Sequence, residues 1–180
     1  MFAVAVCGLS GSGKSTTAKL IANRVGERVS VSDVIRDYCR RVGLSVDRKT
    51  LQSTGEVLAR ENNGRAFAEM LYFKATPDKV PIFDGIRLIE TIEGLKGFYS
   101  RVFIVYVDVE PHILNMRLIQ RGDAVNNTLA ALMLVPIEAA ASKIADIADV
   151  VISNNSGMSD LDHLIEIVIL PKINNLLDKR

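Results

Sequence analysis

The sequence predicts an α/β fold on a doubly wound parallel sheet, and three observations carry that reading. Five short runs are apolar throughout rather than alternating, as strands covered on both faces are. Helical patterns separate those runs, so strands and helices alternate along the chain. A glycine-rich stretch, GLSGSGKST, stands between the first strand and the first helix.

The elements follow in order. FAVAV (2–6) is the first strand, and KSTTAKLIANRVG is a helix stopped by Gly26. RVSVS (28–32) is the second strand, and DVIRDYCRRVG is a helix stopped by Gly43. DRKTLQSTGEVLAREN and GRAFAEMLYFKA read as two more helices. VPIFD (80–84), RVFIVYVDV (101–109) and DVVIS (149–153) are strands three to five. RLIETIEGLKG, EPHILNMRLIQRG and IEAAASKIADIA supply the helices among them. The last helix, SDLDHLIEIVILPKINNLLDKR, contains Pro171, which should kink or break it. Its apolar density suggests docking on the sheet, with a homodimer contact as the alternative. Tyr38, Phe67, Tyr72 and Phe73 read first as core.

With 180 residues, 48% of them apolar, the chain suits one compact domain (1–180) and not disorder. A net charge of +1 provides no global field for nucleic acid or an acidic membrane, so any phosphate-binding cations must be local. Cys7 and Cys39 read as buried reduced thiols, because two cysteines with no histidine nearby make a poor ligand set. MFAVAVCG lacks a basic leader region, and no apolar stretch is long enough to span a bilayer. A cytoplasmic protein with neither nucleic-acid nor membrane partners is expected.

Gly8, Gly13, Lys14 and Ser15 fit the pattern G-x-x-x-x-G-K-[ST]. Glycines let backbone N–H groups turn inward on phosphates, the lysine reaches the β- and γ-phosphates, and the hydroxyl binds Mg²⁺. The helix behind the loop points its positive end at the anion. Gly8, Ser10, Gly11, Ser12, Gly13, Lys14, Ser15 and Thr16 form the expected nucleotide-phosphate site, with ATP and Mg²⁺ as cofactors.

Three further stretches bear on the fate of the phosphate. In SDVIRD, Asp33 and Arg36 follow the second strand at its ligand-binding end. Arg36 can grip an acceptor phosphate bidentately. Asp33 can cap the helix, bind an acceptor hydroxyl or act as base. In PIFDGIR, Asp84 ends a buried strand, from which a carboxylate reaches Mg²⁺ through water. Gly85 gives backbone freedom, and Arg87 stands over the crevice. In RLIQR, Arg117 and Arg121 share a helix face and can neutralise a phosphoryl group in transfer, or simply favour a helix end.

In this order, GLSGSGKST, SDVIRD, FDGIR and RLIQR resemble the nucleoside monophosphate kinase group of P-loop proteins. The chain is most similar to the small adenylate-kinase-related and dephospho-CoA-kinase-like members. FDGIR resembles the Asp-Gly-Phe-Pro-Arg stretch of adenylate kinases, and IADVVISNN resembles the Ala-Asp-x-Val-Ile-x-Asn strand near the C-terminus of those small members. The resemblance implies a three-layer α/β/α P-loop fold with a five-stranded parallel sheet in the order 2-3-1-4-5. It also implies a helical acceptor-binding insertion at about 33–75 and a lid at about 121–136. The acceptor would sit near Asp33, Arg36, Gly85 and Arg87, assisted by Arg60 and Arg65 unless those two line a solvated face. Asn154 would lie near the donor base.

One departure stands out. Lids in this group bring arginines onto the phosphate, yet GDAVNNTLAALMLVPIE has no charged residue between Asp123 and Glu138. The stretch is therefore a short lid, an interface to a partner subunit, or a sign that transfer has been lost. The leading expectation is ATP-dependent transfer to a (deoxy)nucleoside monophosphate. The alternatives are dephospho-CoA as acceptor, or a catalytically weak nucleotide-binding regulatory protein. A GTPase switch is disfavoured, because no Asn-Lys-x-Asp stretch is present.

Overall fold

The computed structural model describes residues 1–122 and 128–178. Strands β1 (Phe2–Cys7), β2 (Glu27–Ser30), β3 (Pro81–Ile86), β4 (Arg101–Asp108) and β5 (Val150–Ser153) form one parallel sheet. The order is β2-β3-β1-β4-β5, as the resemblance implies. β1 lies at the centre, and all six of its residues are buried.

The pleat of β1 explains its unbroken apolar run. Phe2, Val4 and Val6 pack on one face with α1 (Lys14–Val25), α9 (Met158–Leu164) and α10 (Leu170–Leu177). Ala3, Ala5 and Cys7 pack on the other with α2 (Val31–Arg41), α3 (Arg48–Arg60), α4 (Arg65–Lys74) and α5 (Ile89–Leu95). Both faces are covered, so neither tolerates a polar residue. Both cysteines are fully buried.

Helices α2 to α4 stand together between β2 and β3. β2 is shorter than expected: Val31 and Ser32 belong to α2, because the Ser30 hydroxyl accepts the Asp33 N–H at 3.2 Å and caps the helix. Ser30, not Asp33, is therefore the cap. The α4–α5 contact is close: a Cβ on Gly94 would lie 2.5 Å from the Gly64 carbonyl oxygen. Tyr72 stacks on Phe98 at 5.0 Å and meets Tyr99 edge-on at 5.7 Å. Phe73 departs from its expected core placement: it meets Tyr72 edge-on at 5.6 Å at the margin of that cluster and stays 75% exposed.

The chain then forms α6 (Pro111–Gln120), α7 (Leu129–Met133) and α8 (Pro136–Ser142). Of the expected lid, Asp123 to Asn127 lie outside the described residues. The remainder packs as a fixed layer. Thr128 caps α7, Asn115 Oδ1 accepts the Leu129 N–H at 2.6 Å, and Leu132 is buried against Leu114 and Leu118 of α6. The apolar character of LAALMLV thus serves a small core, although Leu134 stays exposed.

Pro171 does not break the last helix. A π turn at Ile165–Ile169 sits between α9 and α10 and absorbs the hydrogen bond the proline cannot give. Ile165, Ile169 and Ile173 are fully buried in the core cluster that includes β1. Among the described residues, no helix is long and apolar enough to cross a membrane.

The small core makes a paired prediction. Leu132→Ala should cost about 3 kcal/mol of stability, as buried leucine truncations do. Leu134→Ala should change it by less than about 0.5 kcal/mol. Urea unfolding checks both, and equal midpoints for the two variants would contradict the packing.

Candidate phosphoryl-transfer site

The glycine-rich loop leaves β1 and enters α1 with Gly8, Gly11 and Gly13 at positive φ. Side chains are excluded there by space as well as by φ. A Cβ on Gly13 would sit 2.2 Å from Asn154 Nδ2, and one on Gly11 2.8 Å from Leu114 Cδ1. The buried Asn154 side chain donates to the Ser12 carbonyl at 2.7 Å, so it braces the loop. That bond uses the side chain expected beside the donor base.

Asp84 reaches the loop from the end of β3. Its Oδ1 accepts the Ser15 hydroxyl at 3.0 Å. Its Oδ2 takes both Nε and Nη2 of Arg28, at 2.9 and 2.6 Å. The register of β3 against β1 slips at this point, with Gly85 unpaired at φ +97. The slip leaves Asp84 facing Ser15 while the chain carries Arg87 onward. Two hard oxygen donors 3.0 Å apart suit a magnesium ion.

Lys14 is buried, and its ammonium donates to the Leu9 carbonyl at 3.1 Å. Burial first, then the charge of Arg87, pulls its pKa from 10.5 down to about 7; Asp84 opposes and Arg121 adds to the fall. Arg87 is pulled down to about 10 by burial and by Arg48.

A cavity of about 360 Å³ opens beside the loop. Arg36, Arg48 and Arg87 supply its cations, Ser10 connects it to the loop, and Gln52 and Thr91 add polar groups. Ile35, Leu51, Phe67 and Ile86 form an apolar wall. No carboxylate lines it among the described residues.

Of the residues expected for the acceptor, Arg36, Gly85 and Arg87 meet in this cavity and Asp33 does not. Asp33 is exposed and pairs with Arg36 through the outer side of α2. Arg60 pairs with Glu56 at 3.0 Å on a solvated face, and neither it nor Arg65 reaches the cavity. Arg117 turns toward the loop after β5, where its Nη2 lies 3.5 Å from the Ser156 carbonyl and its buried Nη1 has no partner among the described residues. Arg121 is exposed, and its charge is felt by Lys14.

Three residues of the site were missed from sequence. Arg28 sits mid-strand, and Arg48 opens a helix; neither position carries a motif. Glu138 closes the uncharged stretch and is fully buried. Its Oε2 accepts the Ser10 N–H at 3.0 Å, and its Oε1 pairs with Arg87. The one available signal was its isolation as the first charge after a long gap.

Comparisons with known proteins bear on the family and the fold. Residues 4–131 match a family model described as an AAA domain. A UPF0200 protein of Aeropyrum pernix is 31% identical over 163 residues, which cover 88% of this chain and 87% of that one. The chain belongs to the UPF0200 family. A second UPF0200 protein, from Pyrobaculum aerophilum, is 35% identical over 119 residues, 66% of each chain. Among solved structures, a gluconokinase from Sinorhizobium meliloti superposes with a TM-score of 0.61 at 13% identity, covering 98% of this chain and 96% of that one. A shikimate kinase from Acinetobacter baumannii, in complex with shikimate, gives 0.58 at 19%, covering 95% and 93%. This UPF0200 protein therefore has the fold of small P-loop kinases.

The buried lysine makes the stability of the protein depend on pH. Between about pH 7 and 10.5 the unfolded chain holds the Lys14 proton and the folded one does not, so the lysine's contribution to stability rises with pH. Below about 7 a buried charge is retained in full. Lys14→Met should therefore be more stable than the parent below pH 7, with a gap that narrows toward pH 10.5. Urea unfolding of both proteins across that window checks this, and a gap independent of pH contradicts it.

Proposed function

We propose that this UPF0200 protein is an ATP-dependent kinase of a small phosphorylated acceptor, with a (deoxy)nucleoside monophosphate as the first choice. The observation that carries the proposal is the meeting of Arg36, Arg48 and Arg87 in a cavity that opens onto the phosphate loop at Ser10. Bound ATP with Mg²⁺ supplies the transferable phosphoryl group and its leaving group.

The chain's own residues divide the work. The amides of Gly8 to Thr16 and the Lys14 ammonium bind the nucleotide phosphates. Ser15 and Asp84 hold the cation, with Arg28 fixing the carboxylate from behind. Arg36 and Arg48 grip the acceptor phosphate, and the wall of Ile35 and Phe67 takes an apolar or planar body. Arg87 lies between the two ends and counters charge on the group in transfer, together with Arg121. Arg117, whose Nη1 has no partner among the described residues, serves the donor side. The acceptor-binding insertion, at about 33–75, takes in α2 to α4, and the lid, at about 121–136, ends where α8 begins. Positioning and charge make up nearly all of this mechanism.

A dephospho-CoA acceptor is less well supported. A ribose hydroxyl needs a base, and Asp33 lies outside the cavity. A phosphate oxygen is already ionised and needs none.

Incubation with ATP·Mg²⁺ and a panel of monophosphates plus dephospho-CoA, following ADP, tests the reading. Acceptor-dependent ADP is expected with a monophosphate. Lys14→Ala and Arg87→Ala should each lower kcat about 100-fold or more, and Arg36→Ala should mainly raise KM. Tight nucleotide binding with no acceptor-dependent ADP would sink the proposal and leave a regulatory nucleotide-binding protein.

A further inference from the structure

Asp84 and Glu138 are the two buried carboxylates among the described residues. Asp84 is absorbed by the cation site; Glu138 is not. It reaches the junction of loop and cavity from α8 and takes one donor from each side, the Ser10 N–H and the Arg87 guanidinium. Both donors also line the cavity. A loop amide and a guanidinium are the donor set a phosphate oxygen takes.

We infer that Glu138 is an internal competitor: its carboxylate takes the donors of the phosphoryl group's subsite and must yield Ser10 and Arg87 when that group arrives. The inference rests on the proposed function in taking a nucleoside triphosphate as the ligand. A phosphate oxygen placed on the same two donors would stand against the Glu138 carboxylate, and like charges that close repel. Stability alone gives a weak reason to keep the pair, since buried ion pairs add little net. The carboxylate is also tethered. Pro136 opens α8 two residues before it and Glu138 is fully buried there, so its withdrawal from Arg87 should be felt in the α8 backbone.

A self-occupied subsite lowers apparent affinity by the fraction of molecules in which it is free. Glu138→Gln keeps the shape and removes the charge. Isothermal titration of both proteins with the non-hydrolysable β,γ-imido analogue of ATP, and with ADP, measures the effect. The variant should bind the triphosphate analogue roughly tenfold or more tighter than the parent, and ADP within about twofold, if the competition is for the subsite of the γ-group alone. Unchanged or weaker triphosphate binding, or equal tightening of both ligands, overturns the inference while leaving nucleotide binding intact. Failure of both proteins to bind either nucleotide overturns the proposed function as well. If the variant does not fold, amide exchange in the parent decides. α8 should exchange faster with the triphosphate analogue than with ADP, and equal or slower exchange overturns the inference.

Discussion

The gathering of like charges at the C-terminal ends of β1 and β3 is the constraint on which the rest of the structure depends. Burial and then the charge of Arg87 depress the hold of Lys14 on its proton, and burial and then Arg48 act likewise on Arg87. Such a cluster is unfavourable unless anions share it. Asp84 and Glu138 do so from opposite sides, one from the sheet and one from α8. The apolar layers serve to hold these few charges at fixed separations. Asn154 and Leu114 press on the loop glycines for the same reason. A loop that bends its amides inward has little structure of its own.

The fold was largely legible because its causes are local or periodic. Continuous apolar runs mark strands covered on both faces, and β1 divides its residues between two core clusters accordingly. Errors fell at boundaries where a side chain settles the matter. Ser30 looks like strand in RVSVS, yet its hydroxyl caps α2 and draws Val31 and Ser32 into the helix. Pro171 signals a break by its missing N–H, and a π turn can absorb that loss when both neighbours are held by burial.

The site was legible only where chemistry writes a motif. Gly8 to Ser15 and Asp84 announce themselves because phosphate and cation binding require fixed spacing. Arg28 and Arg48 do not, since an arginine in a strand or at a helix start is unremarkable until the fold turns it toward a carboxylate or a cavity. Asp33 failed in the opposite sense. It sits where a useful acid would sit, but the helix phase set by Ser30 aims it at solvent and Arg36. One residue of phase, invisible in composition, separates a lining side chain such as Ser32 from an outward one.

The uncharged stretch before Glu138 shows how the two halves of the problem meet. Read as a lid, LAALMLV lacked the arginines that close over phosphate. Folded, it anchors α7 to α6 and delivers a carboxylate. An additional arginine here would enlarge the cation excess that adds to burial in lowering the pKa of Lys14 and Arg87. A carboxylate reverses the balance: it relieves the repulsion among the cations and opposes the ligand. Stability without ligand and affinity for it therefore pull against each other through one side chain, as they do where a functional site is built from like charges.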